Sequence, residues 1–174
     1  MKLDIIGNYL YKARLKTVKP HIRGRLLDLG CGTNKLAKEY GDGVGVDVFD
    51  FGGADLIIPD TSQTPFDDES FDTITIIAAL NHIPNRESVL REMNRITKPS
   101  GKLIITMIPP IISMVWHLLR SPWDNDQKER GMKEGEVYGL TDRQLEQLIT
   151  AAGFKLIERK KFMLRINRLI IAQK

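Results

Sequence analysis

One cysteine, two tryptophans and no unbroken apolar run of membrane-spanning length set the first limits on this chain. Cys31 alone excludes an internal disulfide framework and a zinc site built from several thiolates. Lying inside a glycine turn, it reads as a small buried filler. The longest apolar stretch, 103–119, is broken by Pro109-Pro110 and carries His117. It therefore reads as a strand followed by a separate helix, not as a span, which needs roughly 20 apolar residues. The first residues, Met1-Lys2-Leu3-Asp4-Ile5-Ile6-Gly7, hold no continuous apolar signal core, and a cytoplasmic location is expected. A large charge excess is missing too: 26 lysines and arginines against 22 acids leave a net +4, too little to imply a nucleic-acid partner by itself. Asp124, Asp126, Glu129 and Glu134 lack a metal-ligand spacing and read as solvated charges, so no metal is expected.

What is present is an ordinary globular composition, 42% apolar and 28% charged over 174 residues. That length suits one domain, 1–174, with a helical N-terminal segment over 1–24. The positive charge clusters at both ends, in Lys12, Arg14, Lys16, Lys19, Arg23 and Arg25, then in Arg159, Lys160, Lys161, Arg165 and Arg168. Solvated faces account for such clusters; a patch toward RNA or anionic lipid is the functional alternative. Apolar spacing predicts helices over 9–19 and 34–40, from Asn85, which can cap its helix, to about 97, and from the Thr141 cap to 152. Strands are predicted over 25–29, 44–47, 55–58, 72–79, 103–108, 154–158 and 166–172, with Lys98-Pro99-Ser100-Gly101 as a stop between helix and strand. Alternating strands and helices call for a doubly wound, mostly parallel α/β sheet with helices on both faces. The connection between the last two strands is too short for a crossover helix, so one of the seven runs antiparallel near the C-terminus.

The informative stretch is Leu26-Leu27-Asp28-Leu29-Gly30-Cys31-Gly32-Thr33-Asn34, a buried strand running into a Gly-x-Gly turn before a helix. A second strand, Val44-Gly45-Val46-Asp47, ends in a carboxylate able to accept from both hydroxyls of a ribose. A dinucleotide turn would place a third glycine at position 35, which is Lys35. Asp28, two residues before the first glycine, repels a diphosphate and attracts an ammonium or sulfonium. The pair of acids points to a nucleoside that carries a cation.

The chain resembles the class I S-adenosylmethionine-dependent methyltransferases, and within them the small-molecule group. Residues 26–34 match the glycine-rich motif and 44–47 the ribose acid. Asp60-Thr61 matches the loop acid at the adenine amino group. Pro65-Phe66-Asp67-Asp68-Glu69-Ser70-Phe71-Asp72 and Leu80-Asn81-His82-Ile83-Pro84 match the entry and exit of the fourth strand, while 92–105 and 140–154 match later elements. Asn34 departs from the commoner third glycine but tolerates the same left-handed conformation. The resemblance implies a Rossmann-like fold with S-adenosyl-L-methionine as cofactor. It implies that Asp28 and Gly30 hold the methionine amino end directly or through water, that Gly32 lets the backbone approach the cofactor, that Asp47 takes the ribose diol and that Val48 packs on adenine. Asp60, with Thr61 beside it, would accept from the adenine amino group, and Ala79 and Leu80 would offer backbone near the sulfonium.

Methyl transfer from a sulfonium asks chiefly for alignment, with a base only where the acceptor loses a proton. His82 is the catalytic candidate by position and chemistry; ordering of its loop is the bland alternative. The segment 109–139 reads as a lid over the acceptor, with Trp116, His117, Trp123 and Tyr138 as cavity walls. A small or lipid-like acceptor is expected, with peripheral membrane contact through Trp116 and Trp123 open. RNA or protein methylation is the alternative, nucleic acid being disfavoured because Asn81 lacks an Asn-Pro-Pro-aromatic setting. A non-catalytic binding or scaffold protein is the third reading. Neither acceptor atom nor oligomeric state is legible.

Overall fold

The computed structural model describes residues 5–110 and 135–174. Its sheet has seven strands in the order β3-β2-β1-β4-β5-β7-β6. The strands are β1 (Leu26–Leu29), β2 (Gly43–Asp47), β3 (Leu56–Ile57), β4 (Phe71–Ile77), β5 (Thr97–Met107), β6 (Lys155–Phe162) and β7 (Asn167–Gln173). The first five pair in parallel, and β7 is antiparallel to both β5 and β6. The single reversed strand expected from the short last connection is therefore β7. Helices α1 (Ile5–Val18), α2 (Lys35–Tyr40), α3 (Arg86–Ile96) and α4 (Asp142–Ala151) flank the sheet, with short 3-10 turns at Lys19–His21 and Leu80–His82. Among the described residues, no helix is long and apolar enough to cross a membrane.

Alternation along each strand sends side chains to two cores. Leu27, Leu29, Ile74 and Ile76 pack beneath α3 and α4 against Val89, Met93, Leu145 and Ile149. Leu26 faces the other way, against Leu15 and Val18 of α1 and Leu36 of α2. Two-sided cover explains why the central strands are nearly continuous in apolar and β-branched residues. Thr141 caps α4 through a reciprocal box with Gln144.

Several boundaries differ from expectation for local reasons. β5 begins at Thr97, not 103, because Thr97 pairs with Phe71 and the Lys98–Gly101 segment is absorbed as an irregularity, with Ser100 at φ 64°. β6 runs on to Phe162 because edge-strand lysines stay in solvent and hide the alternation. Asn85 does not cap α3 through its side chain; its amide turns instead to Asp60.

The same alternation places Asp28 on the α1 side of β1, directly across from Thr75 of β4. It is almost wholly buried, and the Thr75 hydroxyl donates to its Oδ1 at 2.7 Å. Burial raises its pKa to about 7, the Thr75 bond lowers it, and the Asp47 charge raises it further. Below about pH 4 the acid is protonated in folded and unfolded chains alike. As pH rises toward 7 the unfolded chain loses the proton while the folded chain keeps it, so this group increasingly favours unfolding. Above 7 the penalty is constant, at roughly 4 kcal/mol. Asp28→Asn is therefore expected to stabilise the ligand-free protein by several degrees in melting temperature at pH 8 and hardly at all at pH 4. Thermal denaturation across that range checks it; a stabilisation independent of pH would contradict the assignment.

Candidate functional site

The carboxyl ends of β1, β2 and β4 converge on the glycine turn. Gly30 and Cys31 both donate their backbone N–H to Val46 O, at 2.8 and 3.1 Å. A Cβ on Gly30 would lie 2.5 Å from that of Ala79, so glycine is what lets the end of β1 touch the exit of β4. At Gly32 the corresponding position meets nothing within 4 Å, leaving a cleft walled by bare backbone. Asn34 follows in the left-handed conformation (φ 55°, ψ 34°), as the substitution for glycine requires. Its buried amide donates to Asp55 Oδ2 at 2.8 Å and to Gly53 O at 3.1 Å, which locks the turn against β2.

Asp47 closes β2 and is oriented by three backbone donors. Gly32 N donates to one oxygen at 2.8 Å, while Val48 N and Phe49 N donate to the other at 2.8 and 3.2 Å. The acid is thus tied to the glycine turn and still keeps acceptor capacity toward the cleft. Val48 and Phe49 beside it are exposed. Asp60 lies in the loop after β3, on the surface, and Thr61 beside it is buried. Ser62 donates to Asp60 Oδ1 through both backbone N–H and hydroxyl, and Asn85 Nδ2 reaches the same oxygen at 3.0 Å. These bonds, the Ser62 backbone first, hold its carboxyl below the usual range. Asp60 thereby links the β3 loop to the start of α3.

Beyond Ala79 the chain makes one 3-10 turn, Leu80–His82. Leu80 is core, whereas His82 is partly exposed with Nδ1 3.4 Å from Glu136 Oε2. Glu136 is nearly buried, and two bonds hold its segment on the exit of β4. Arg86 Nη2 donates to Gly135 O at 2.8 Å, and Val137 N to Asn81 O at 3.0 Å. Tyr138 is exposed just beyond. Trp116, His117 and Trp123 lie outside the described residues.

Below the turn the surroundings are acidic and dry. The Cys31 thiol is pushed up to about 12, by burial first and then by Asp28 and Asp47, which keeps it neutral and unreactive. Tyr11 of α1 lies close enough that burial and then the Asp28 charge push its phenol further above the ordinary value. A buried, hydrogen-bonded acid, a glycine cradle and an oriented carboxylate together can hold a polyhydroxylated ligand that brings its own positive charge.

Reading the residues alone missed Thr75, Tyr11, Asp55 and Glu136. Thr75 becomes visible only through strand register, since it sits in an unremarkable β-branched run. Tyr11 and Glu136 arrive from distant elements, and no local pattern marks them. Asp55, read only as the start of a strand, pins both Asn34 and Gly45 N through one oxygen.

A family model described as a methyltransferase domain matches residues 27–105. An uncharacterized protein, MJ1123 of Methanocaldococcus jannaschii, is 29% identical over 157 residues, covering 86% of this chain and 74% of that one. A protein named demethylmenaquinone methyltransferase in Staphylococcus carnosus is 26% identical over 183 residues, covering 87% and 76%. Among solved structures, an S-adenosylmethionine-dependent methyltransferase of Thermotoga maritima shares the fold. Its TM-score is 0.69 at 19% identity, with 94% and 89% of the two chains covered. The chain therefore carries a methyltransferase domain over residues 27–105, on a seven-stranded fold that the Thermotoga structure shares.

Proposed function

We propose that this enzyme methylates a small, lipid-like acceptor held beside the exit of β4. The observation carrying the reading is the adjacency of two unlike regions. A backbone-lined cleft with Asp28 and Asp47 abuts, through the Gly30–Ala79 contact, a loop presenting His82 against Glu136. When bound, S-adenosylmethionine supplies a methyl group on a sulfonium, already activated for in-line displacement.

Asp28 pairs with the ammonium of the methionine end, directly or through water, and Gly30 and Gly32 let backbone close on it. Asp47 accepts from the ribose hydroxyls, Val48 packs on adenine, and Asp60 with Thr61 meets the adenine amino group. Ala79 and Leu80 contribute backbone next to the methyl donor. His82 takes the proton that a hydroxyl or activated carbon of the acceptor gives up as its electron pair forms the new bond, and Glu136 steadies the imidazole. Tyr138, exposed beside that loop, contributes to the acceptor wall. The name of the Staphylococcus carnosus relative supports an apolar acceptor, as does the exposed Tyr138.

Incubation with methyl-labelled S-adenosylmethionine and a panel of acceptors tests the reading. Label is expected in a prenylated hydroquinone; label confined to RNA or to protein would overturn it. Asp47→Ala is expected to weaken S-adenosylhomocysteine binding by roughly 10- to 100-fold, the worth of one or two hydrogen bonds to a charged group. His82→Gln should leave that affinity unchanged while lowering turnover by about 100-fold. Unchanged binding in the first variant, or unchanged turnover in the second, would remove that residue from its role.

A further inference from the structure

We propose that the tip of the β6–β7 hairpin is a contact site for an anionic lipid bilayer, set at the acceptor side of the cleft. This extends the lipid-like acceptor reading. The register fixes where the tip is: Met107 at the end of β5 pairs with Arg168, and Arg168 with Lys161. The turn 163–166 therefore emerges at the carboxyl end of the parallel strands, the end on which Gly30, Asp47 and Ala79 lie. The neighbouring rim is shared, since Arg168 Nη1 donates to Leu140 O and Gly139 packs over Ile108 O.

Charge on this hairpin divides into two sets. Arg159 is paired with Glu146 and Asp142, and Arg168 with Asp142. Those arginines bind α4 to the sheet and are not available to a partner. Lys160, Lys161 and Arg165 are exposed, and among the described residues no carboxylate pairs with them. Between them the tip carries Leu164, 95% exposed and the most exposed large apolar side chain of the described residues, with Ile166 also exposed. Lysines that served only to block strand addition at a sheet edge would not require a leucine at the apex. The turn is also not built for backbone ease. Met163, Leu164 and Arg165 all have positive φ (52°, 53° and 68°), where glycine or asparagine would be less strained. An apolar residue projecting from a ring of unpaired cations matches the headgroup boundary of a negatively charged leaflet. There the cations meet phosphate and the leucine reaches the acyl region. An acceptor dissolved in that leaflet would then face the open side of the cleft.

Co-sedimentation of the full chain with vesicles tests this, using phosphatidylcholine alone and phosphatidylcholine mixed with phosphatidylglycerol. Binding is expected only to the mixed vesicles and should fall steeply with added salt. Lys160→Gln and Lys161→Gln should each weaken it roughly fivefold, and Leu164→Asp should weaken it at every salt concentration. Calorimetry with S-adenosylhomocysteine should be unaffected in all three variants, which separates this surface from the cofactor site. Equal binding to neutral vesicles, or variants that bind like the parent, would overturn the proposal. So would an RNA that binds in a way the same substitutions abolish, because the patch would then be a nucleic-acid surface. A chain that binds mixed vesicles but labels no lipid would overturn the acceptor reading and leave the surface standing.

Discussion

A carboxylic acid sealed beneath α1, bonded by a threonine hydroxyl, is the constraint around which the site is arranged. An aspartate in that position costs stability at neutral pH, and a leucine or asparagine would fold more easily. Its retention makes physical sense when a cation arrives to occupy the space in front of it. The strand pleat places Asp28 on the dry face, the β1–β4 register brings Thr75 opposite, and Asp47 adds a second negative charge nearby. A diphosphate carrier would meet two acids, whereas an amino-acid ammonium relieves both burial and repulsion.

The remainder of the cleft follows from sheet order. In β3-β2-β1-β4-β5 the chain reverses direction of progression between β1 and β4, and loops leaving those two strands must part there. Glycine at position 30 lets the parted loops touch again, and glycine at 32 leaves backbone exposed to a ligand. Asp47 is held by the turn it faces, so the acid and the cradle form one rigid unit. Opposite, the Glu136 segment fastened by Arg86 brings an acid with a buried side chain to His82. The two regions thus meet at Ala79.

Much of this was legible in the residues. The order of elements, the single reversed strand and the left-handed Asn34 follow from apolar runs, a connection too short for a crossover and the tolerance of asparagine for positive φ. The acids at the ends of β1 and β2 stood out because strand ends and turn glycines are local signals. The partners of those acids were not. Thr75 depends on register, Glu136 on a long-range docking, and Asn85 carries a helix-cap signature that its amide spends on Asp60. β6 was cut short for a similar reason, its outward lysines concealing a strand that only pairing with β7 reveals. Interactions close in sequence are encoded in pattern, while interactions made by packing are encoded only in the assembled sheet.

The central claim is that a buried, neutral-range acid selects a cationic ligand. Its most direct measurement is the pH dependence of binding of S-adenosylhomocysteine compared with methylthioadenosine, which keeps the nucleoside and lacks the ammonium. Affinity for S-adenosylhomocysteine is expected to climb toward tenfold per pH unit below about 7 and then level, while methylthioadenosine binds more weakly with no such slope. Equal affinities for the two, or a flat profile for both, would contradict it.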